Sequence, residues 1–352
     1  MRRSLLVFLL VAVLVLTLLL HSVSTLLSLL IEDASRDAIH RSELPAPNST
    51  LLENRPHLIP KIIHQTYINE SIPAHWVPAQ KSCIDLHPDY EYILWTDDKS
   101  LDFIAKEYPW FLSTFVGYKH NIQRADAIRY FVLAHYGGVY IDLDDGCQRR
   151  LDPLLSYTAF VRRTVPTGIS NDVMGSIPQH PFFLRVMESL QGANRSWLLP
   201  YITIMASTGP LFLSVIWKKW MGEHAHLDPQ TWIGRVRVLM PDEYSKYSWS
   251  FFKTYKGSSW HGKDARLIFW MGKNWVLLTV LGFLLVMTVG FLSWFIYSRL
   301  LILSARRRTA RGSPRVVAFR FPGAAKMPLW RMWAGGLGTK KQTYELVAQH
   351  DA

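Results

Sequence analysis

The chain carries, at residues 137–145, the stretch Gly137-Gly138-Val139-Tyr140-Ile141-Asp142-Leu143-Asp144-Asp145. The two glycines can end a preceding helix in a left-handed turn, and the three residues after them suit a short buried strand. Because side chains alternate along a strand, Asp142 and Asp144 are predicted to share one face, with Leu143 on the other. Neighbouring carboxylates repel each other unless a cation joins them, and such oxygen ligands suit Mg²⁺ or Mn²⁺. A bare Asp-x-Asp is more often a solvated acidic turn, so its meaning depends on the surrounding sequence.

Strand-like and helix-like segments alternate around this stretch. Strands are predicted at residues 61–67, 90–95 and 158–164, and helices at residues 121–136 and 181–191. This alternation is typical of an α/β domain with a mostly parallel sheet, in which ligands bind beyond the carboxyl ends of the strands. Three polar groups fall at such ends and are expected to form one site: His64-Gln65-Thr66, Trp95-Thr96-Asp97-Asp98 and Asp142-Leu143-Asp144.

The predicted helix at residues 121–136 carries Arg124, Asp126 and Arg129 in the half that leads toward the acidic stretch. Asp126 and Arg129 could form a surface ion pair, which stabilises a helix by about 0.2–0.5 kcal/mol. Alternatively, Asp126 accepts hydrogen bonds from the sugar hydroxyls of a nucleotide, and an arginine faces its phosphates. The residues alone leave both interpretations open.

Two long apolar segments predict attachment to a membrane. The first follows Met1-Arg2-Arg3 and continues to Ile31, and the second, residues 275–297, has no charged residue. The second can span a bilayer core of about 30 Å, and aromatic residues lie near its ends. The length of the first favours a retained signal anchor over residues 1–31, although Ser22-Val23-Ser24 leaves its cleavage open.

The distribution of charge predicts the orientation. Most of the net charge of +12 comes from residues 298–352, where eleven basic residues accompany two acidic ones. The positive-inside rule places this tail and the N-terminus in the cytosol, and the residues between the spans in a lumen. Because the basic charge adjoins a span, topology and anionic lipid explain it better than nucleic acid does. Three glycosylation triplets lie in the predicted luminal part, at Asn48, Asn69 and Asn194.

The predicted luminal part divides into a stem and a domain. Residues 32–58 are polar and contain Pro, Asn and Ser, as a stem would, and residues 59–273 are sufficient for one α/β domain. Cys83 and Cys147 both lie in this domain, where an oxidising lumen permits a disulfide. The sequence leaves open whether they pair.

Four segments together resemble glycosyltransferases of family 32, which carry a DXD motif and use nucleotide-diphosphate sugars. They are Ile59–Thr66, Tyr92–Asp97, Arg124–Tyr130 and Gly137–Asp144, and their order and spacing match over residues 59–270. Because the chain has no Walker phosphate loop, no Gly-x-Ser-x-Gly elbow and no His-Glu-x-x-His motif, ATPase, hydrolase and metalloprotease activities are disfavoured. The second span and the basic tail are most similar to the fungal inositol phosphorylceramide mannosyltransferases within that family.

The resemblance implies a GT-A fold, a GDP-mannose donor and Mn²⁺ or Mg²⁺. Asp142 and Asp144 are then expected to hold the metal and the ribose or diphosphate of the donor. Asp145 lengthens the acidic cluster, so the division of metal binding among the three carboxylates stays open. His261, in a segment just before the second span, is expected to approach the metal or the diphosphate.

The resemblance also assigns the nucleotide-sugar pocket. Arg124 and Asp126 are expected to contact the nucleotide sugar. The pocket lining is then expected to include His64, Gln65, Thr66 and Trp95.

The activity implied is transfer of mannose, with retention of configuration, to the inositol headgroup of inositol phosphorylceramide. A Golgi membrane location and a regulatory membrane subunit are implied in the same way. Alternatives are a glycoprotein α-mannosyltransferase, a glycolipid α-galactosyltransferase, and a non-catalytic subunit that keeps the fold. The second span favours the lipid acceptor, since a glycoprotein-modifying enzyme needs only one anchor, and the intact acidic pair favours activity.

Overall fold

A computed structural model describes residues 2–32, 34–46, 55–164, 167–228, 231–257 and 262–311. The chain forms two compact units, residues 1–273 and residues 274–352. The strands are β1 (Ile62–Thr66), β2 (Glu91–Trp95), β3 (Gly138–Ile141), β4 (Asp145–Cys147), β5 (Ala159–Arg163), β6 (Ile169–Ser176), β7 (Arg237–Leu239) and β8 (Phe252–Thr254). The helices are α1 (Arg2–Leu30), α2 (Val77–Leu86), α3 (Asp97–Glu107), α4 (Pro109–Gly117), α5 (Asn121–Tyr136), α6 (Pro181–Ala193), α7 (Pro200–Ser207), α8 (Pro210–Glu223), α9 (Pro241–Tyr244), α10 (Lys263–Lys273) and α11 (Trp275–Arg311).

The main sheet has six strands in the order β2-β1-β3-β6-β5-β7. Strands β2, β1 and β3 are parallel, as are β5 and β7, whereas β6 is antiparallel to both of its neighbours. The predicted α/β class with a mostly parallel sheet is therefore confirmed. Because β1, β2 and β3 run in one direction, their carboxyl ends meet at one edge of the sheet.

Two apolar clusters cover the two faces of the sheet. Alternation along β3 puts Tyr140 into the cluster with α5, α6 and α8, and puts Val139 and Ile141 into the cluster that includes Cys83 of α2. The sheet is thus buried on both sides, as a parallel sheet covered by helices usually is.

A small second sheet pairs β4 with β8 directly after the acidic stretch. A disulfide joins Cys83 of α2 to Cys147 of β4, which answers the question that the sequence left open. The segment that leaves the acidic turn is therefore covalently tied to a helix on the sheet.

The described part of the predicted stem is folded onto the domain. Ala38 forms a parallel bridge with Val238 of β7, and the Ile39 amide donates to the Val238 carbonyl at 2.8 Å. Asp37 accepts a hydrogen bond from Arg235 at 2.8 Å. These contacts extend the sheet beyond β7 with residues that composition alone assigns to a linker.

Three segments are long and apolar enough to cross a membrane: Leu9–Leu30, Pro200–Glu223 and Trp275–Ser304. The first and third coincide with the two predicted spans. The middle segment comprises α7 and α8, and half of its most apolar window is buried inside the domain. The second unit, in its described part, consists of the single helix α11, which is longer than the predicted span of residues 275–297.

Candidate active site

The acidic stretch lies at the edge of the sheet where β1, β2 and β3 end. A turn follows β3, in which the Asp145 amide donates to the Asp142 carbonyl at 3.0 Å. Asp142 and Asp144 are partly exposed, whereas Leu143 is buried. On the antiparallel neighbour β6, the Asp172 carbonyl accepts from the Asp142 amide at 2.8 Å, which brings a further carboxylate to the turn.

Asp142 is held by a chain of hydrogen bonds from neighbouring strands. The Tyr140 hydroxyl donates to Asp142 Oδ1 at 2.7 Å, and Tyr140 lies 2.9 Å from Thr66 Oγ1 at the end of β1. Arg129 Nη1 lies 3.2 Å from the same carboxylate oxygen. Burial raises the pKa of Asp142, and the Arg129 charge opposes that rise. The carboxylate is therefore fixed in direction before any ligand binds.

Arg129 is buried and links Asp142 to Asp126. Its Nη2 lies 3.1 Å from Asp126 Oδ1, while its Nη1 also donates to the Asn171 carbonyl at 2.7 Å. Asp126 further accepts from Asn171 Nδ2 and from Thr208 Oγ1, each at 3.0 Å. Burial raises the pKa of Asp126 to about 6, although Arg129 acts to lower it. The Asp126–Arg129 pair is thus interior rather than on the helix surface.

Asp144 differs from Asp142 in its surroundings. No described residue forms an ion pair with it, and a Cβ on Gly257 would lie 1.5 Å from its Oδ2. The backbone of Gly257 therefore packs directly against this carboxylate. Burial, followed by the charges of Asp142 and Asp172, raises the pKa of Asp144 to about 6.

Asp145 is buried, and described residues bond both of its oxygens. Arg162 Nη1 donates to Oδ2 at 2.8 Å and Thr254 Oγ1 donates to Oδ1 at 2.9 Å. Arg162 also lies 2.9 Å from Asp172 Oδ2. Burial and the charge of Asp172 raise the pKa of Asp145 to about 8.

The residues at the turn fit a divalent cation. Asp142 and Asp144 offer hard oxygen ligands, and the negative charge of Asp142 adds to burial in raising the pKa of Asp144. Among the described residues, no three His, Cys, Asp or Glu side chains form a complete metal-binding group. Carboxylate oxygens are the ligands that Mg²⁺ and Mn²⁺ prefer, and these ions usually retain positions for water and substrate phosphate.

His64 and Trp95 lie together in the interior. Trp95 Nε1 donates to His64 Nδ1 at 3.1 Å, and His64 Nε2 lies 2.9 Å from the Gly137 carbonyl. Desolvation lowers the pKa of His64 to about 4, so the ring is neutral at physiological pH. Both ring nitrogens are engaged within the protein, where they support the turn at Gly137 that begins the acidic stretch.

Gln65 and Thr66 complete the group at the end of β1. Gln65 is fully buried, and its Oε1 accepts from the Tyr92 hydroxyl at 2.7 Å. Thr66 contacts Tyr140, as described above. Of this group, only Thr66 is linked by side-chain hydrogen bonds to Asp142.

Arg124 is half-buried near the beginning of α5, where its Nη2 donates to Asn121 Oδ1 at 3.0 Å. Burial raises the pKa of the Asp97 carboxyl at the start of α3, and the positive charge of Arg124 opposes that rise. The predicted metal ligand His261 lies outside the described residues. The described residues before it end at Gly257, and those after it begin at Gly262. Gly257 is the residue that packs on Asp144.

Sequence reasoning missed several residues of the site. Asp172 and Asn171 lie on β6, and Arg162 lies on β5, so only strand pairing brings them to the turn. The sequence pattern suggests Arg129 as a surface partner of Asp126 but does not predict that it links Asp126 to Asp142. Its position three residues after Asp126, on a helix predicted to lead to the turn, was the available signal.

Comparison with known proteins identifies related sequences. Residues 73–161 match a family described as the glycosyltransferase sugar-binding region containing a DXD motif. The chain is 51% identical over 290 residues to mannosyl phosphorylinositol ceramide synthase CSH1 of Saccharomyces cerevisiae, covering 81% of this chain and 75% of that protein. It is 50% identical over 265 residues to inositol phosphoceramide mannosyltransferase 3 of Schizosaccharomyces pombe, covering 75% and 72% respectively. Among solved structures, the PaToxG glycosyltransferase matches with a TM-score of 0.36 and 18% identity, covering 49% of this chain and 72% of that chain.

Proposed function

Because the chain belongs to the family of DXD-containing glycosyltransferases, we propose that it transfers mannose from GDP-mannose to the inositol headgroup of inositol phosphorylceramide. The yeast relatives, about half identical to this chain, are named for that lipid or its mannosylated product. The observation that carries the proposal is the pair Asp142 and Asp144, which lies at the carboxyl edge of the sheet with Asp142 oriented by Arg129 and Tyr140.

In this proposal, Asp142 and Asp144 hold Mn²⁺ or Mg²⁺ with the diphosphate of the donor. The bound cation would neutralise the negative charge that develops on the departing GDP. Arg129 and Tyr140 keep Asp142 aimed at the site, and Gly257 leaves room for the Asp144 carboxylate. His261 stays a candidate ligand because the described residues before it pass directly over Asp144.

Asp145 has a supporting role in the proposal. Since Arg162 and Thr254 occupy its two oxygens, we assign it to ordering the β4–β8 sheet rather than to the metal. Asp126, whose two oxygens bond Arg129, Asn171 and Thr208 in the interior, would orient Arg129 beneath the site, and Arg124 would lie nearer the phosphates. His64, Gln65 and Trp95 would support the pocket from beneath.

The proposed transfer retains the configuration at C1 of mannose. An inositol oxygen forms a bond to C1 as the bond from C1 to the diphosphate oxygen breaks, and the hydroxyl proton passes to the departing diphosphate. This same-face route needs no covalent carboxylate nucleophile. We further propose a Golgi location with a luminal catalytic domain, and a regulatory membrane subunit.

The test uses membranes that contain the full-length protein, labelled GDP-mannose, Mn²⁺ and inositol phosphorylceramide. We expect transfer by the wild type and a decrease of at least about 100-fold for Asp142→Asn and Asp144→Asn, since each removes one metal ligand. Asp102→Asn, on the exposed side of α3, is the control and should retain activity. Equal transfer by all variants would exclude the proposed role of the pair, and transfer from UDP-galactose would favour the glycolipid galactosyltransferase.

A further inference from the structure

An exposed apolar surface lies beside helix α7. Trp197 and Leu198, in the loop before α7, are 55% and 97% exposed, and Leu267 and Trp270 of α10 are 49% and 52% exposed. We call these four residues the α7–α10 surface. Large apolar side chains exposed together usually mark a site that contacts a protein or a membrane.

Hydrogen bonds and ring contacts attach both parts of the α7–α10 surface, the loop before α7 and helix α10, to α7. Asp264 of α10 accepts from the Tyr201 amide of α7 at 2.6 Å, and the rings of Tyr201 and Phe269 meet edge to face at 5.6 Å. The Trp197 amide donates to Thr203 Oγ1 at 2.9 Å. The loop and α10 are therefore attached to the same end of α7, which makes the four exposed side chains a defined surface.

The helix pair α7–α8 contacts the end of the first predicted span and the helix that precedes the second. Helix α1 packs against α8, where Leu29 is buried and Lys218 pairs with Glu32. At the other end of the domain sequence, α10 packs against α7, and only Asn274 separates α10 from α11. A bilayer that contains the first span must begin within a few residues of α8.

The helix pair itself is apolar on more than the face that it buries. Residues Pro200–Glu223 are long and apolar enough to span a membrane, and half of their most apolar window is buried inside the domain. Leu211, Val215 and Ile216 of α8 are partly exposed, and Val215 and Ile216 also pack against the core cluster. A helix that is apolar beyond its core-facing stripe usually has a second apolar neighbour.

The charges of α10 are those of an interfacial helix. Lys263, Arg266 and Lys273 are exposed on the same helix as Leu267 and Trp270, while Ala265 is buried against the domain. Tryptophan and basic side chains favour the headgroup layer, where the ring enters the acyl boundary and the cation meets phosphate.

We propose that the α7–α10 surface and the outer face of α8 rest in the luminal headgroup layer of the bilayer. The catalytic domain then lies directly on the membrane. This contact does not depend on the proposed mannosyl transfer. If that function holds, the contact also delivers the acceptor, because Thr208, between α7 and α8, bonds the site residue Asp126 at 3.0 Å.

The test measures membrane depth in the full-length protein. Both native cysteines form the disulfide, so single cysteines at Leu198→Cys or Leu267→Cys can be labelled with an environment-sensitive fluorophore. Val77→Cys, an exposed apolar position on α2 across the sheet, is the matched control. The labelled proteins are reconstituted in phosphatidylcholine–phosphatidylserine vesicles that contain nitroxide-labelled lipid near the headgroup.

We expect the labels at positions 198 and 267 to be quenched at least about twice as strongly as the label at position 77. Equal quenching at all three positions would overturn the proposal. The measurement uses neither donor nor acceptor, so its outcome is independent of the proposed activity.

A kinetic comparison tests the consequence for the acceptor. We expect Leu198→Asp to lower transfer to vesicle-embedded acceptor about tenfold, and to leave transfer to a short-chain, detergent-dispersed acceptor unchanged. Val77→Asp should change neither rate. An equal loss on both acceptors for Leu198→Asp would show that the residue acts through the fold, and would contradict delivery by the membrane contact.

Discussion

At the scale of single residues, Arg129 determines the electrostatics of the candidate site. It is a buried cation between Asp126 and Asp142, and its guanidinium carbon lies 4.6 Å from the centroid of the Tyr140 ring. Removing one partner of a buried ionic group leaves the others without compensation, which costs more than the intact group contributes. Arg129 therefore couples the stability of the domain to the orientation of the Asp142 carboxylate.

We predict that Arg129→Met lowers the free energy of unfolding by about 3–5 kcal/mol, because the buried Asp126 and the partly exposed Asp142 lose their cation. Urea titration of the detergent-solubilised protein measures this change. The matched variant is Arg124→Met on the same helix, whose partner Asn121 is exposed, and it should change stability by less than about 1 kcal/mol. Similar losses for the two variants would contradict the interior role of Arg129.

Asp144 gives a prediction for pH dependence in metal-free protein. Its pKa in the folded chain is about 6, above the ordinary value of 3.8. A raised carboxyl pKa means that the folded state binds the proton more tightly, so stability is lost as the pH rises from about 4 through 6. Asp144→Asn should therefore stabilise the metal-free protein by about 1–2 kcal/mol at pH 7 and have no effect near pH 4.

Thermal unfolding with a chelator, at both pH values, checks this expectation. Added Mn²⁺ should reverse the order at pH 7, because only the wild type keeps both carboxylates. A variant that is destabilised at pH 7 without metal would disprove the repulsion between the carboxylates.

At the scale of elements, the segment before the first strand behaves as part of the sheet. Glu43 accepts two hydrogen bonds from Arg237 of β7, at 2.7 and 2.9 Å, in addition to the contacts of Asp37, Ala38 and Ile39. Composition predicts a stem for residues 32–58 because the segment is polar. Its described residues Ala34, Ala38, Ile39 and Leu44 are nevertheless buried, which composition does not reveal.

We predict that Ile39→Ala lowers the free energy of unfolding by about 2–4 kcal/mol, as expected for a core side chain. Ile39 is 2% exposed, whereas Leu58, in the same predicted stem, is 45% exposed. Leu58→Ala should cost less than about 1 kcal/mol. Urea titration of both variants measures these changes. A large loss for Ile39→Ala alone supports a packed segment, whereas small losses for both variants would indicate an unpacked stem.

At the scale of the whole molecule, charge and apolar length predict the topology. We expect a C-terminal epitope tag after residue 352 to be digested by protease added to sealed microsomes, and the catalytic domain to be protected, because the proposed orientation puts the basic tail in the cytosol. Detergent permeabilisation should expose both parts. Protection of the tag in sealed vesicles would place the tail in the lumen and invert the proposed orientation.

Local patterns predicted most of the elements that position the site. Helix α5 begins and ends where predicted, because polar residues precede an apolar periodicity that Gly137-Gly138 terminates. Strands β1, β2 and β5 agree with prediction within a residue or so at each end. The antiparallel direction of β6 and the pairing of β4 with β8 were not predicted, because both depend on contacts between residues far apart in sequence.

The sequence by itself determined the α/β class, the two predicted spans, the family and the acidic pair at a strand end. Each of these follows from residue type, spacing or charge over a short range. Only the tertiary structure decided that Cys83 pairs with Cys147, that Arg162 and Asp172 join the acidic turn, and that Arg129 bridges two carboxylates. The physical reason is that desolvation and charge pairing depend on which segments, distant in sequence, come into contact, and local sequence patterns do not specify those contacts.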